Sequence, residues 1–433
     1  MAARAEPIGL KAFEPAFRAP AGEPAWLADF RKAGAARFAE AGLPTNREEA
    51  WKYTSLRPLA RAKYEAGAMG APALDPSALP PLALDGAARA VFVNGRFAAG
   101  LSDLEGLEAA VRPWTEAANE AWLRDLVAGR APTEQAMYAL NAAAFDDGLA
   151  IRVPDGASLG RPLEIVYVAA PGERPLMWHP RSAIALEAGA SATILERHIG
   201  PGEGAYLANH GADIRVGEGA RLAHGKLQAE GAEGRHLAMT RVSVGEGGLY
   251  DNFVLTTGAS LSRSEAAVRL EGAGAETRLN GAYAIAGRQH ADHTSRIDHL
   301  APGTTSRQVY AGAIDEQARG VFQGHIVVDR LAQQTDGHQL NRALLLSDGA
   351  EIDSKPILEI YADDVKCSHG ATAGDIDADQ LFYLRARGVP AEAARRLVVR
   401  GFLADAADGL SEPSLRDAVV AAIDATLGLE TAT

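Results

Sequence analysis

A seven-residue pattern recurs along the middle of the chain, reading IALEAGA at 184–190, IRVGEGA at 214–220, VSVGEGG at 242–248 and VRLEGAG at 268–274. A looser copy, LLLSDGA, follows at 344–350. Each copy begins with an apolar alternation and then reaches a glycine, which is typical of a β-strand that ends in a turn. The first four copies begin 30, 28 and 26 residues apart. A period of this size, with strands and turns but no helical pattern, predicts a solenoid.

We therefore expect a mainly β protein whose core is a right-handed parallel β-helix. Each period is long enough for more than one strand, so it corresponds to one or two coils of a β-helix rather than to a helical repeat. A β-sandwich is the alternative, because its strands also recur at short spacing, but the recurrent turn sequence favours the solenoid. The right hand is favoured because left-handed β-helices usually show a strict six-residue repeat, which is not sustained here.

Helical patterns flank this core and divide the chain into three predicted regions. Residues 1–150 form an N-terminal helical and mixed region, 151–374 form the β-helix core, and 375–433 form a C-terminal helical region. In the last region, Asp377 and Ser411 are of the residue types that cap helix N-termini.

The C-terminal helices allow two compatible interpretations. Solenoids need a cap over their open end, and the helices between 380 and 402 could supply one. The same helices hold several basic side chains in an otherwise acidic chain, which favours a docking surface for another protein. These side chains are Arg385, Arg387, Arg395, Arg396 and Arg400.

The composition excludes several classes of protein. The 433 residues carry a formal net charge of -13 and no basic run, which argues against nucleic-acid binding because that needs clustered Lys and Arg. No run of about 18 apolar residues predicts a membrane span, and the first 20 residues lack the apolar stretch of a secretory signal. One cysteine excludes a disulfide framework within the chain. We therefore expect a cytoplasmic protein.

The single cysteine, Cys367, stands two residues before His369 in the sequence VKCSHG at 365–370. Residues i and i+2 of a β-strand point to the same face, so this thiol and this imidazole would project side by side. Together they form half of a soft metal site that suits iron, zinc or copper. Each residue alone would more simply be a buried side chain, but adjacent Lys366 could lower the thiol pKa. Nothing nearby in the sequence supplies the other half of the coordination sphere.

Other residues of ligand type fit no recognised site. The run at 290–299 holds three histidines and two aspartates, but its spacing matches no zinc signature, so solvated strand faces are the simpler interpretation. His210, His325 and His338 are isolated in the sequence. The glycines before Lys226 depart from P-loop spacing, so any ATP hydrolysis would belong to a partner. No Gly-x-Ser-x-Gly motif indicates a serine hydrolase.

Several stretches resemble the SufB/SufD family of iron–sulfur cluster assembly proteins, and its SufD branch more closely. They are LEIYADDVKCSHGATAG at 358–374 with DQLFYLRARG at 379–388, REEAWKYTSL at 47–56, and Leu140-Asn141 with Phe145 and Gly148. The Asp-Val-Lys-Cys-x-His-Gly run is the feature that points to the SufD branch. The resemblance spans the chain from about Arg47 to Phe402.

The resemblance implies an assembly scaffold rather than an enzyme. SufD-type chains pair with SufB through their β-helices and bind the ATPase SufC through their C-terminal helices. By position, Cys367 and His369 fall on the family's cluster-site residues at the SufB–SufD interface, and His369 is the better supported of the two. The expected cargo is a nascent iron–sulfur cluster shared with SufB. Reduced flavin is also linked to family complexes, but no residue here supports flavin binding.

Two other classes of function are the alternatives. A β-helix enzyme acting on polysaccharide would share the fold, but the missing signal peptide and the 6% aromatic content argue against it. A hexapeptide-type acyltransferase would need a six-residue period. The sequence is compatible with two roles for Cys367, an iron ligand or a sulfur carrier, and with a homodimer of the isolated chain.

Overall fold

The computed structural model describes residues 9–18, 22–67, 71–129, 135–145, 147–200 and 203–429. Residues 1–8 of the first predicted region and 430–433 of the third therefore lie outside the described residues. Within the described part, no helix has the length and apolar character needed to cross a membrane.

The strands form two sheets that pack against each other. The first sheet contains β1 (Glu65–Ala66), β4 (Val111–Pro113), β5 (Leu149–Val153), β7 (Leu176–Trp178), β8 (Arg181–Leu186), β10 (Tyr206–Val216), β12 (Gly234–Val244), β14 (Leu261–Leu270), β16 (His290–His299), β18 (Arg319–Val328) and β20 (Glu351–Ile360). The second sheet contains β2 (Ala88–Val93), β3 (Arg96–Phe97), β6 (Leu163–Val168), β9 (Ser191–Ile199), β11 (Arg221–Ala229), β13 (Leu249–Thr256), β15 (Glu276–Ile285), β17 (Thr305–Ile314), β19 (Thr335–Leu345) and β21 (Val365–Gly374).

From β8 onward the chain alternates between the two sheets, and each strand pairs in parallel with the strand two positions later. Two consecutive strands therefore make one coil, and about seven coils follow one another from β8 to β21. This arrangement is a parallel β-solenoid, so the predicted mainly β fold with a β-helix core is confirmed.

Helices lie before and after the solenoid in the described chain. They are α1 (Leu10–Phe13), α2 (Ala25–Ala41), α3 (Arg57–Arg61), α4 (Trp114–Ala117), α5 (Ala121–Val127), α6 (Ala136–Ala144), α7 (Ala378–Arg385), α8 (Ala391–Ala404) and α9 (Pro413–Thr426). Short 3₁₀ turns occur at Glu14–Ala16, Glu49–Trp51, Pro76–Ala78, Ala99–Leu101 and Asp405–Ala407.

The sequence repeat corresponds to the register of the first sheet. The first residues of the four clear copies are Cα partners on adjacent strands, so they form one apolar column. The column continues through Ile297 and Ile326, whose strands carry no recognisable copy of the turn. The looser copy at 344–350 is different, because Leu344 lies on β19 in the second sheet.

One glycine in each of the four clear copies is favoured by its backbone conformation. Gly219, Gly247 and Gly274 have φ between 61° and 66°, in the left-handed region that glycine adopts without strain. A Cβ atom at any of these three positions would meet nothing within 4 Å, so the preference is conformational rather than steric. The same conformation therefore recurs at the turn from one sheet to the other.

The space between the sheets is apolar on one side and polar on the other. Beside the glycine turns, inward side chains such as Ile194, Ile214 and Val242 form a large apolar cluster. At the opposite ends of the same strands, the inward positions hold buried polar residues such as His210 and Lys226. This division is not among the features expected from the sequence.

The two ends of the solenoid differ. At the first end, β4 pairs antiparallel with β5, and β3 pairs antiparallel with β2. Asn94 and Gly95 join β2 to β3 with φ of 48° and 76°, as a type I′ turn requires. At the last end, β20 pairs with β18 and β21 pairs with β19, and no further strand of the described chain follows them.

The C-terminal helices lie on a face of the solenoid rather than over its open end. Val399 and Leu403 of α8 and Leu415 of α9 pack in one cluster with Phe253 and other side chains of the second sheet. The interpretation of these helices as an end cap is therefore wrong. The side chain of Asp377 caps α7, as predicted, whereas Glu412 rather than Ser411 caps α9.

A buried ion pair ties the first sheet to the N-terminal helices. Arg181 and Asp213 have fully buried side chains that form a salt bridge between β8 and β10. Asp213 also accepts hydrogen bonds from Arg241 Nε at 2.8 Å and from the Tyr138 hydroxyl of α6 at 3.0 Å. Burial opposes ionisation of Asp213, but the two arginines outweigh it and lower the pKa of this carboxyl.

We expect Asp213→Asn to lower the free energy of unfolding by about 3–5 kcal/mol, because it leaves the buried charge of Arg181 uncompensated. Urea denaturation of both proteins measures the difference. The matched control is Glu271→Gln, which removes one partner of the exposed Arg269–Glu271 pair and should cost less than about 1 kcal/mol. Equal losses in the two variants would contradict the assigned role of Asp213.

The same variant has a predictable pH dependence. Because the folded pKa of Asp213 is lowered, its contribution is present above the unfolded pKa of about 3.9 and is lost as the pH falls through the folded pKa. The difference between wild type and Asp213→Asn should therefore shrink below about pH 4, as denaturation curves at several pH values would show.

Candidate functional site

Cys367 lies on β21, the last strand of the second sheet. Its side chain is half-buried and packs at the edge of a small apolar cluster that includes Ile326, Val328 and Ala362. Its Cα partner on the preceding coil is the buried Gly337. The thiol therefore lies on the inner side of the open end of the solenoid.

The environment of this thiol makes it less acidic than an ordinary cysteine. Burial raises the pKa of Cys367, and the charge of Asp336 adds to the effect, although a backbone hydrogen bond from Gly337 opposes it. Lys366 is exposed and alternates to the other face of the strand. The expectation that Lys366 lowers the thiol pKa is therefore wrong.

His369 follows Cys367 by two residues on the same regular strand, and it is exposed. Its Cα partner is Gln339, whose side chain is buried inside the preceding coil. His369 thus occupies an inward position that stays open to solvent because no further coil of the described chain covers it. On the opposite face, Ser368 hydrogen-bonds to His338.

A second imidazole lies beneath the cysteine. A Cβ atom added to Gly337 would be 3.6 Å from Cys367 Sγ and 3.6 Å from His299 Nε2, so the thiol and this ring face the same small space. His299 is buried, and its nitrogens are bonded to Thr304 at 2.8 Å and Ser306 at 2.9 Å. Burial lowers the pKa of His299 to about 4, so the ring is neutral at physiological pH.

The described chain does not complete a metal site around Cys367 and His369. Among the described residues, one group of three or more His, Cys, Asp or Glu side chains has ligand atoms close enough to hold an ion, and these two residues are not part of it. The strands β20 and β21 also leave one backbone edge each unpaired. An open strand edge is a template for pairing with another chain, so a partner on this edge would lie next to both side chains.

Comparison with known proteins identifies the family. Residues 168–402 match the family model described as SUF system FeS cluster assembly, SufBD core domain. The chain is 31% identical over 404 residues to an iron–sulfur cluster assembly SufBD family protein of Synechocystis, covering 90% of this chain and 89% of the relative. It belongs to the SufBD family. It is also 32% identical over 392 residues to SufD of Escherichia coli, covering 88% and 89% of the two chains, and 28% identical over 300 residues to SufD of Bacillus subtilis, covering 67% of each.

The SufBD core match begins at the last residue of β6, covers the strands from β7 through β21 and extends into α8. It therefore includes Cys367 and His369 and most of the surface against which the C-terminal helices pack. Membership of an iron–sulfur assembly family argues against the polysaccharide-active and acyltransferase alternatives.

This SufBD chain contains a second group of ligand-type side chains that is not expected from the sequence. His198, His210 and His236 are all buried and lie together between the sheets, so His210 is isolated in the sequence but not in the fold. Aligning the chain by coils would have placed Glu196 beside Lys226, which are Cα partners. The pairing across the two sheets has no sequence signal.

The C-terminal helices of the SufBD chain present an exposed aromatic surface. Phe382 and Tyr383 of α7 are 72% and 56% exposed, and Arg387 stacks over the Tyr383 ring at 3.4 Å. Two of the predicted docking arginines are used inside the protein instead, because Arg395 donates to a backbone carbonyl and Arg400 pairs with Asp424.

We expect the alkylation of Cys367 by iodoacetamide to follow an apparent pKa above the usual value of about 8.5, because burial disfavours the thiolate. The alkylation rate, measured against pH on the isolated protein, reports on this thiol because the chain has one cysteine. Lys366→Ala should leave the profile unchanged. An apparent pKa below 8.5 in the wild-type protein that rises in Lys366→Ala would instead show that Lys366 activates the thiol.

Proposed function

We propose that this chain is a non-catalytic scaffold subunit for iron–sulfur cluster assembly that pairs with SufB along β20 and β21. One observation carries the proposal. The open end of the solenoid combines an unpaired strand edge with a thiol and an imidazole that the described residues do not complete. A partner strand on this edge would supply the remaining ligands.

In this proposal, Cys367 and His369 provide half of the site for a nascent cluster. Thiolate and imidazole ligands suit iron, and His369 is the more accessible of the two residues because it is exposed. The raised pKa of Cys367 means that iron binding would have to displace the thiol proton. His369 is therefore the first ligand in the proposed order, and Cys367 follows.

The proposed second partner is the ATPase SufC, docked on the C-terminal helices. The support is the exposed pair Phe382 and Tyr383, since aromatic and arginine side chains dominate protein interfaces. The neighbouring helices α8 and α9 pack on the second sheet. The last strand of that sheet is β21. Movement of the docked ATPase would thus act on the sheet that carries Cys367.

We expect His369→Ala to form the complex with SufB and SufC but to lower the yield of assembled cluster about tenfold or more, because a lost ligand costs at least as much as a lost ligand-orienting group. Co-expression followed by anaerobic reconstitution and absorption spectroscopy measures the yield. Ser368→Ala is the matched control, since Ser368 lies on the opposite face of the same strand. A normal yield in His369→Ala would refute the half-site.

The SufC surface has a separate test. Phe382→Ala with Tyr383→Ala should weaken SufC binding by about 30-fold or more if the pair is a hot spot, while the unfolding curve stays unchanged because both side chains are exposed. The control is Leu331→Ala, which removes a side chain of 74% exposure on the turn after β18. Titration calorimetry with purified SufC compares them, and undiminished binding would move the docking surface elsewhere.

The same edge could join two copies when SufB is absent. Sedimentation of the isolated chain, with and without excess SufB, would then show a dimer that SufB converts to a heterodimer. A monomer that gains mass only with SufB would assign the edge to SufB alone.

A further inference from the structure

Three buried histidines meet inside the solenoid, away from the open edge. His198 lies on β9 of the second sheet, and His210 and His236 lie on β10 and β12 of the first sheet. Their ring centroids are 4.6, 4.8 and 5.0 Å apart. We call these residues the histidine cluster. No step of the proposed scaffold function uses them.

The ligand atoms of the histidine cluster are close enough for one ion. One nitrogen from each ring lies within 4.8 Å of the chosen nitrogens of the other two rings. The point between the three nitrogens is therefore within about 2.8 Å of each. Each nitrogen would need to move about 0.7 Å to reach a metal–nitrogen distance of about 2.1 Å. Small side-chain rotations are sufficient for a shift of this size.

The hydrogen bonding of His198 is that of a metal ligand. Its Nε2 lies 3.0 Å from Glu196 Oε2, so the carboxylate holds the proton on that nitrogen. Its Nδ1 is buried and has no hydrogen-bond partner among the described residues. Metal-binding histidines usually donate one ring N–H to a carboxylate while the other nitrogen faces the metal. A metal-free interior leaves this lone pair unused at a cost, because buried polar atoms are normally paired.

Ionisable side chains contact the histidine cluster. Burial lowers the pKa of all three rings, and the charge of Lys226 adds to the effect. Glu196 and Glu230 are buried acids, and Lys226 is the buried base beside them. Glu230 Oε2 lies 2.7 Å from His236 Nδ1, out of line for a hydrogen bond, and Lys226 Nζ lies 2.7 Å from His236 Nε2.

A small cavity borders the cluster. It has a volume of about 40 Å³ and is lined by His210, Glu196 and Lys226, among others. That is room for at least one water molecule. The water could fill a fourth coordination position, or the cavity could receive the Lys226 amine.

We propose that the histidine cluster binds one divalent transition-metal ion of the Zn²⁺ or Fe²⁺ class inside the solenoid. Imidazole nitrogens suit these ions, whereas Mg²⁺ and Ca²⁺ prefer oxygen ligands. Lys226 leaves His236 Nε2 when the ion enters. The ion joins the second sheet to two coils of the first sheet, and it is separate from Cys367 and His369. The proposal does not depend on the scaffold function.

The test uses the full-length protein after dialysis against a chelator. Titration with Co²⁺ alone should give one equivalent with the visible absorption of a tetrahedral nitrogen site, and Zn²⁺ should displace it. One equivalent of Zn²⁺ should also raise the melting temperature, because it binds the folded state. Absence of any stoichiometric Co²⁺ or Zn²⁺ binding by wild type would overturn the proposal.

Three variants locate the ion. His210→Gln should weaken Zn²⁺ binding about 100-fold or more, whereas His293→Gln should retain it, since His293 is an equally buried ring outside the cluster. Cys367→Ala with His369→Ala should also retain it. Binding that is lost with Cys367 and His369 but kept in His210→Gln overturns the proposal. If His210→Gln does not fold by circular dichroism, one nitrogen-ligated Co²⁺ in the Cys367→Ala, His369→Ala protein supports it, and none refutes it.

Discussion

Parallel pairing between successive coils is the constraint on which the rest of this structure depends. Each strand of a parallel solenoid uses both of its edges, so every coil needs a neighbour on each side. The first coils meet this need with short antiparallel strands at Arg96–Phe97 and Val111–Pro113. The last coil has no counterpart among the described residues. Because β20 and β21 each have an unpaired edge, we propose that SufB pairs with the chain at these strands.

The two halves of the interior have different consequences. The apolar half, beside the glycine turns, holds the coils in register through a column of β-branched side chains such as Ile214 and Val242. The polar half brings side chains from both sheets into a buried space. There, desolvation keeps the imidazoles neutral and makes every unpaired atom costly. A metal ion would bind the neutral imidazoles and would also pair with the unpaired nitrogen. We therefore connect the histidine cluster with the stability of the fold rather than with the open edge.

Sequence reasoning was most successful where a local rule repeats. The glycine turns, the parallel strands and the placement of Cys367 and His369 on one strand face depend on backbone periodicity, which the sequence displays directly. It failed where distant elements meet. The C-terminal helices pack on a sheet face rather than over the end, and Lys366 cannot act on the thiol because it lies across the strand. Arg400 is committed to Asp424 instead of a partner.

The sequence by itself determined the solenoid, its approximate period and the family, because apolar alternation, left-handed glycines and a long motif are all local. Only the tertiary structure decided what the strands enclose. His198 and His210 are 12 positions apart but on different sheets, and His236 joins them from the next coil. Their meeting depends on how the two sheets face each other, which no spacing along the chain encodes. The burial that raises the pKa of Cys367 likewise comes from the coil beneath it.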